Sequence, residues 1–198
     1  MLDGERVPAK IARSWLLVPA TKPEAFTPPA GDPVDSVIID IEDAVSPPAK
    51  ASARTQAVEW LNGAGQAWVR CNDATTEFWA DDLAALSTAR GLAGVMLAKV
   101  ESGYQVDATA DRLPEGTPII ALIESAMGLE AAAEIARSEA TFRLAFGSGD
   151  FRRDTGMSDD PMAMAYPRSR LVVTSRAARL PGPIDGPTVN RNEGILRR

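Results

Sequence analysis

The sequence predicts an α/β fold built on a parallel sheet, and three observations point to it. Short, near-continuous apolar runs recur every few tens of residues, as strands buried on both faces do. Stretches rich in Ala, Glu, Leu and Arg lie between them, so strand and helix alternate. Charged and polar residues gather within or just after the C-terminal ends of the runs. Both (β/α)8 barrels and doubly wound sheets carry their sites at that edge. No G-x-G-x-x-G or Walker loop follows a run, which argues against nucleotide binding.

In chain order, the runs are Trp15-Leu16-Leu17-Val18 (ended by Pro19), Val37-Ile38-Ile39-Asp40-Ile41, Ala67-Trp68-Val69-Arg70 and Gly94-Val95-Met96-Leu97-Ala98. Ile119-Ile120-Ala121-Leu122-Ile123 follows and ends in Glu124. Leu144-Ala145-Phe146 then leads through Gly147-Ser148-Gly149 to Asp150, and the short Pro183-Ile184 makes a seventh. Helices are expected over 50–61, 78–89, 128–137 and 169–179, where apolar residues recur among Ala, Glu and Arg. Loops are expected at Pro28-Pro29, Pro47-Pro48 and Pro181-Gly182-Pro183. The polar stretch from Arg152 to Pro167 reads as a loop over the site.

Composition narrows the class. The chain has 198 residues, 45% hydrophobic and 24% charged, enough for one domain with a sizeable core. A net charge of −6 argues against a general nucleic-acid or anionic-membrane binder. One cysteine, Cys71, rules out an internal disulfide framework. No apolar run reaches the roughly 18 residues a membrane helix needs. The N-terminus, with Asp3, Glu5, Arg6 and Lys10, lacks a signal-type apolar stretch. A cytoplasmic protein is expected.

The chemistry follows from what ends the runs and from what is missing. The chain contains no histidine, so a metal site would draw on oxygen ligands, the preference of Mg2+. Glu124 and Asp150 are the candidate ligands. The alternative is that either acid caps the helix that follows. Arg70 ends an otherwise apolar run, where an unpaired arginine is expensive. Its planar fork suits a substrate carboxylate or one of the strand-end acids. Asp40, Glu42 and Asp43 form a dense acid cluster that needs nearby cations or lies in a solvated turn. Lys99 reads as a charge partner of these acids rather than a Schiff-base nucleophile. Lys50 and Arg54, at i and i+4, share a helix face that binds a phosphate or is simply solvated. Cys71, with no histidine to activate it, reads as packing.

Together these pieces resemble the citrate lyase beta-subunit family of the HpcH/HpaI aldolase/citrate lyase superfamily. The matching segments are Arg13-Ser14-Trp15-Leu16 with Pro19, Asp40-Ile41-Glu42-Asp43-Ala44-Val45, Lys50 with Arg54, and Val69-Arg70-Cys71-Asn72. Leu97-Ala98-Lys99-Val100-Glu101, Ile123-Glu124-Ser125, Phe146-Gly147-Ser148-Gly149-Asp150, Arg170-Leu171-Val172-Val173 and Ile184-Asp185-Gly186-Pro187 continue the order, which extends to Asn190.

The resemblance implies a (β/α)8 TIM-type barrel that cleaves or forms a carbon–carbon bond in a hydroxyacyl thioester. Citryl-, malyl- or citramalyl-thioesters, on CoA or an acyl-carrier protein, are the implied substrates, and the implied assembly is a homo-oligomer (trimer or hexamer). Glu124 and Asp150 would hold Mg2+, and Arg70 would bind the substrate carboxylate, with Glu42 and Asp43 behind the metal waters. Substrate contacts are assigned to Arg70, Glu124, Arg13 and Lys99, catalytic roles to Arg70, Glu42 and Asp43, and cofactor contacts to Lys50 and Arg54. Without histidine, the general base is a carboxylate or a metal-bound water.

Two departures stand out. Ala98 replaces the family's usual proline, and the family's C-terminal tail, with its eighth strand, has no counterpart before Arg198. The expectation is therefore one incomplete barrel domain over 1–198, lacking the last strand and C-terminal helices. A partial chain, a gap covered by an oligomer partner, or a degenerate relative would each explain it. A pyruvate-type class II aldolase, an acyl-CoA thioesterase and a non-catalytic ligand-binding relative are the alternatives. The pyruvate aldolases generally use a histidine base, which counts against the first.

Overall fold

The computed structural model describes residues 7–29, 31–63 and 65–187; Asp3, Glu5, Arg6 and Asn190 lie outside them. Six strands pair in sequential order, all parallel: β1 (Trp15–Pro19), β2 (Ser36–Asp40), β3 (Ala67–Cys71), β4 (Leu92–Leu97), β5 (Ile119–Ile123) and β6 (Thr141–Phe146). The helices are α1 (Lys50–Asn62), α2 (Phe78–Leu86), α3 (Gly103–Ala110), α4 (Ala126–Ile135), α5 (Ser148–Thr155) and α6 (Ala165–Ala177). Short 3-10 turns at Pro23–Ala25 and Pro47–Ala49 follow β1 and β2.

Side-chain period two sorts each strand into an inner and an outer set. Ile39, Val69, Val95, Leu97, Ala121 and Ile123 face the helices and join the main core. Ile38, Trp68, Met96, Ile120, Leu122 and Ala145 face the other way and form a second cluster. Inner residues from all six strands line one cavity, so the sheet is curled into a half-barrel rather than flat. Arg143 on β6 ties the curl, with Nη1 donating to the carbonyls of Ala9 (3.2 Å) and Ala12 (2.9 Å) ahead of β1.

The N-terminal end of the interior is plugged by aromatic rings. Trp68 meets Trp15 edge-on and Phe142 at a tilt, both at 5.5 Å between centroids. Gly94, the register partner of Trp68, makes room for its ring: a Cβ there would lie 2.3 Å from Cζ3. The C-terminal end is left to polar groups.

The sequence expectations need three corrections. The seventh run is a single bridge, Ile184 to Ala145, so the described residues give six strands rather than seven. The expected loop from Arg152 begins inside α5, which ends at the left-handed Gly156 (φ 72°), and α6 starts at Ala165. Only the stretch between them is irregular. Helix α5 hides in the sequence because it buries little besides Phe151 and is otherwise polar. Helix α3 was not expected either; its signal is the capping box, in which Ser102 Oγ accepts from the Gln105 amide and the Gln105 side chain accepts in return from the Ser102 amide. No helix among the described residues is long and apolar enough to cross a membrane.

Candidate active site

The inner phase of β2, β3 and β5 carries Asp40, Arg70 and Glu124 beyond the apolar layer. Register does the rest: Asp40 is the direct partner of Arg70 across β2 and β3. Arg70 Nε donates to Asp40 Oδ1 at 2.8 Å and Nη2 to Oδ2 at 2.6 Å, a bidentate pair. Asp40 is fully buried and also accepts from the amides of Glu42 (2.9 Å) and Ala44 (3.2 Å). Nη1 of Arg70 lies 3.3 Å from Glu42 Oε2. Strand-end acids therefore hold most of the Arg70 fork and aim the guanidinium into the cavity it lines.

That cavity, about 270 Å³, is walled by Leu17, Ile38, Met96 and Leu122 and opens past Asp43, Arg70, Glu124 and Asp150. A second hollow on the far side of Glu124 and Asp150 is lined by Lys99, Glu101 and Arg153. The two acids thus separate an apolar interior from a polar mouth.

Glu124 does not cap a helix. Ser125 is the N-cap of α4, its Oγ accepting from the Gly128 amide at 3.1 Å, which leaves the Glu124 carboxylate for the cavity. One oxygen, Oε2, accepts from the Lys99 amide at 3.1 Å. The Glu124 carboxyl is held up at about 7: burial raises it most, Lys99 and Arg70 pull it down, and Asp150 and Glu42 push it up. Asp150 is not a strand-end residue: β6 stops at Phe146, and Asp150 sits in the first turn of α5, where the helix dipole favours an anion. Its Oδ1 pairs with Arg153 at 2.9 Å and its Oδ2 lies 3.5 Å from Lys99.

Lys99 reaches the acid cluster from β4. Its ammonium donates to Glu42 and, at 3.4 Å, to Asp43. Burial acts to lower its pKa, but the bond to Glu42 and the charges of Glu42, Asp43 and Glu124 outweigh it and hold the ammonium charged. Its backbone is left-handed (φ 50°), a conformation a non-glycine residue keeps only where its surroundings demand it. Burial raises Glu42 against the pull of Arg70 and Lys99. Asp43 is held low despite its own burial by its hydrogen bond with Glu42 and by Lys99.

Three of the sequence assignments are not brought to this site. Arg13 stands before β1 at the opposite end of the sheet, its amide bonded to Asp35 at 2.7 Å. A five-residue strand puts it about 16 Å from the site edge. Lys50 is buried and spends its ammonium on the carbonyls of Ile41 (3.1 Å) and Glu42 (2.9 Å), bracing the loop that carries the acids. Arg54 pairs with buried Asp82 at 2.8 Å and with Asp81 at 3.5 Å. Lys50 and Arg54 thus brace the fold instead of presenting a free phosphate-binding face. Sequence reasoning missed Arg153 and Gly147; a Cβ on Gly147 would lie 2.2 Å from Glu124 Oε1.

Among the described residues, five carboxylates (Asp40, Glu42, Asp43, Glu124 and Asp150) crowd around Arg70, Lys99 and Arg153, and the buried Lys50 ammonium also acts on Asp40, Glu42 and Asp43. The acids still outnumber the cations, which suits a bound cation. Among the described residues no three His, Cys, Asp or Glu side chains form a metal cage by themselves. Mg2+ needs no such cage, since it binds through one or two carboxylates and fills its octahedron with water and substrate oxygens.

The chain is 33% identical over 146 residues to a (3S)-malyl-CoA thioesterase of Cereibacter sphaeroides, covering 72% of this chain and 50% of that protein. It is 34% identical over 166 residues to an L-malyl-CoA/beta-methylmalyl-CoA lyase of Cereibacter sphaeroides, covering 76% and 52%. The chain spans about half the length of the curated relatives it matches. The structure superposes with TM-score 0.81 and 30% identity on protein CitE from Mycobacterium tuberculosis in complex with magnesium, acetoacetate and coenzyme A, covering 95% of this chain and 71% of that one. Residues 13–182 match the profile of the HpcH/HpaI aldolase/citrate lyase family, and the chain belongs to that family.

Proposed function

We propose that the protein is a Mg2+-dependent carbon–carbon lyase that cleaves or forms a hydroxyacyl thioester such as citryl-, malyl- or citramalyl-CoA, its half-barrel being part of a (β/α)8 domain. The observation that carries this is the pairing of Glu124 and Asp150 beside Arg70 at the mouth of one cavity, where acids outnumber cations. Glu124 and Asp150 would hold the ion. When bound, Mg2+ supplies Lewis-acid stabilisation of the oxyacid oxygens.

The remaining work falls to the chain. Arg70, aimed by Asp40, orients the substrate carboxylate and adds positive charge where the enolate forms. Asp43, its side chain half-exposed at the cavity wall and held ionised, takes the hydroxyl proton as the carbon–carbon bond breaks; that bond's electron pair leaves on the thioester enolate, which takes a proton back at carbon to become the acyl-CoA. Glu42, between Arg70 and Lys99, keeps both cations in place. The apolar walls Leu17, Met96 and Leu122 exclude water from the carbanionic carbon. The resemblance also supports a homo-oligomeric assembly, trimeric or hexameric, and the reading extends to a cytoplasmic protein.

The test is twofold. Glu124→Ala and Asp150→Ala should each abolish Mg2+ binding by calorimetry; two variants that bind like wild type refute the site. Malyl-CoA and citramalyl-CoA should give an acyl-CoA and a 2-oxo acid. Free CoA with the intact hydroxy acid would instead favour thioester hydrolysis, a second reading supported by the similarity to a malyl-CoA thioesterase.

A further inference from the structure

Lys99 touches both proposed metal ligands, by two different parts of the same residue. Its amide donates to Glu124 Oε2 at 3.1 Å, while its ammonium stands 3.5 Å from Asp150 Oδ2. The ammonium also bonds Glu42 and reaches Asp43 at 3.4 Å. Lys99 makes these contacts from a left-handed backbone at φ 50°, a conformation costly for lysine. Arg153, on the other oxygen of Asp150, is largely exposed, with 79% of its side chain in solvent, and contributes little to a screened pair. Lys99, with 35% of its side chain exposed, is the better-shielded cation facing Asp150.

We infer that Lys99 is the resident counter-ion of the metal acids: its ammonium neutralises Glu42, Asp43 and Asp150 while no ion is bound, and an incoming Mg2+ must displace it from Asp150. Lys99 is then a positioning residue that sets metal affinity by competition. It spares the metal-free protein the repulsion of four neighbouring carboxylates, at the cost of weaker metal binding. The inference rests on the magnesium reading above.

Competition and simple scaffolding predict opposite signs. If Lys99 only braced the fold, removing it would weaken both the protein and its metal site. If it competes, Lys99→Met should unfold at a lower temperature in chelator, yet bind Mg2+ about tenfold tighter or more, since a unit charge a few ångströms from the ion is gone. Calorimetric titration with MgCl2 and thermal unfolding with and without Mg2+ read the two effects separately. Lys99→Arg should restore the metal-free stability and the wild-type affinity. Lys99→Gly, which suits the left-handed backbone, provides a second ammonium-free variant that should also bind Mg2+ more tightly. Unchanged or weaker Mg2+ affinity in both Lys99→Met and Lys99→Gly overturns the role of Lys99 alone. A wild-type chain with no Mg2+ affinity overturns the magnesium reading together with it.

Discussion

Gly147 lies against the carboxylate of Glu124: a Cβ built on its backbone would stand 2.2 Å from Oε1 and 2.4 Å from Cγ. The backbone there has an ordinary φ of −89°, so space rather than conformational freedom requires the glycine. The Gly147 amide meanwhile donates to the Ile123 carbonyl at 2.9 Å, tying the end of β6 to the end of β5.

Gly147→Ala should therefore displace the Glu124 carboxylate without unfolding the sheet. The expected outcome is a loss of Mg2+ affinity of about a hundredfold, read by calorimetry, with a stability change of about 1 kcal/mol or less by urea titration.

Arg70 is expected to matter for the fold as well as for chemistry. Removing it strands the buried Asp40 carboxylate, so Arg70→Met should cost about 3–5 kcal/mol in denaturant unfolding. Arg70→Lys keeps a charge but not the bidentate fork and should fall between the two. An Arg70→Met variant as stable as wild type would show that Asp40 finds another partner.

Glu124 gives the metal-free protein a characteristic pH dependence. Its carboxyl is raised to about 7 in the folded state, against about 4.3 for an unperturbed glutamate. Between those values the folded state holds a proton that the unfolded state has lost. Stability should therefore fall as pH rises through this window, and level off above it. Glu124→Gln should flatten that fall. Mg2+ uptake near pH 6 should release a proton, seen as a binding enthalpy that varies with buffer ionisation heat.

Lys50 should behave as a structural residue. Lys50→Ala removes the ammonium from the carbonyls of Ile41 and Glu42, which keep Asn72 Nδ2 at 3.2 Å and the Val45 amide at 3.0 Å, and is expected to cost about 1–3 kcal/mol. CoA-thioester affinity should change no more than the loss of folded protein explains. A selective loss of thioester binding at full stability would return Lys50 to the binding surface.

Much of this was legible in the residues themselves. Apolar runs of the right length and the helix-forming stretches between them encode parallel strands buried on both faces, because continuous hydrophobicity has no other stable use at that length. Period two then puts Asp40, Arg70 and Glu124 on the same face as Ile38, Trp68 and Leu122. The absence of histidine restricts a metal site to oxygen ligands.

Tertiary structure decided how those groups are spent. Arg70 suited either a substrate carboxylate or a strand-end acid; the β2–β3 register sets Asp40 opposite it and fills most of its fork. Glu124 was open to capping until Ser125 took that role. Asp150 looked like a strand-end acid and stands in a helix turn, while Lys50, one turn from Arg54 on an apparently solvated face, is buried beneath the acid loop. The physical reason is common to all four. A charged side chain chooses its partner by competition among groups brought close by strand register and helix packing, and that competition involves residues distant in sequence. The chain alone determines which charges reach the mouth of the half-barrel; only the folded arrangement determines which are neutralised and which remain for substrate and metal.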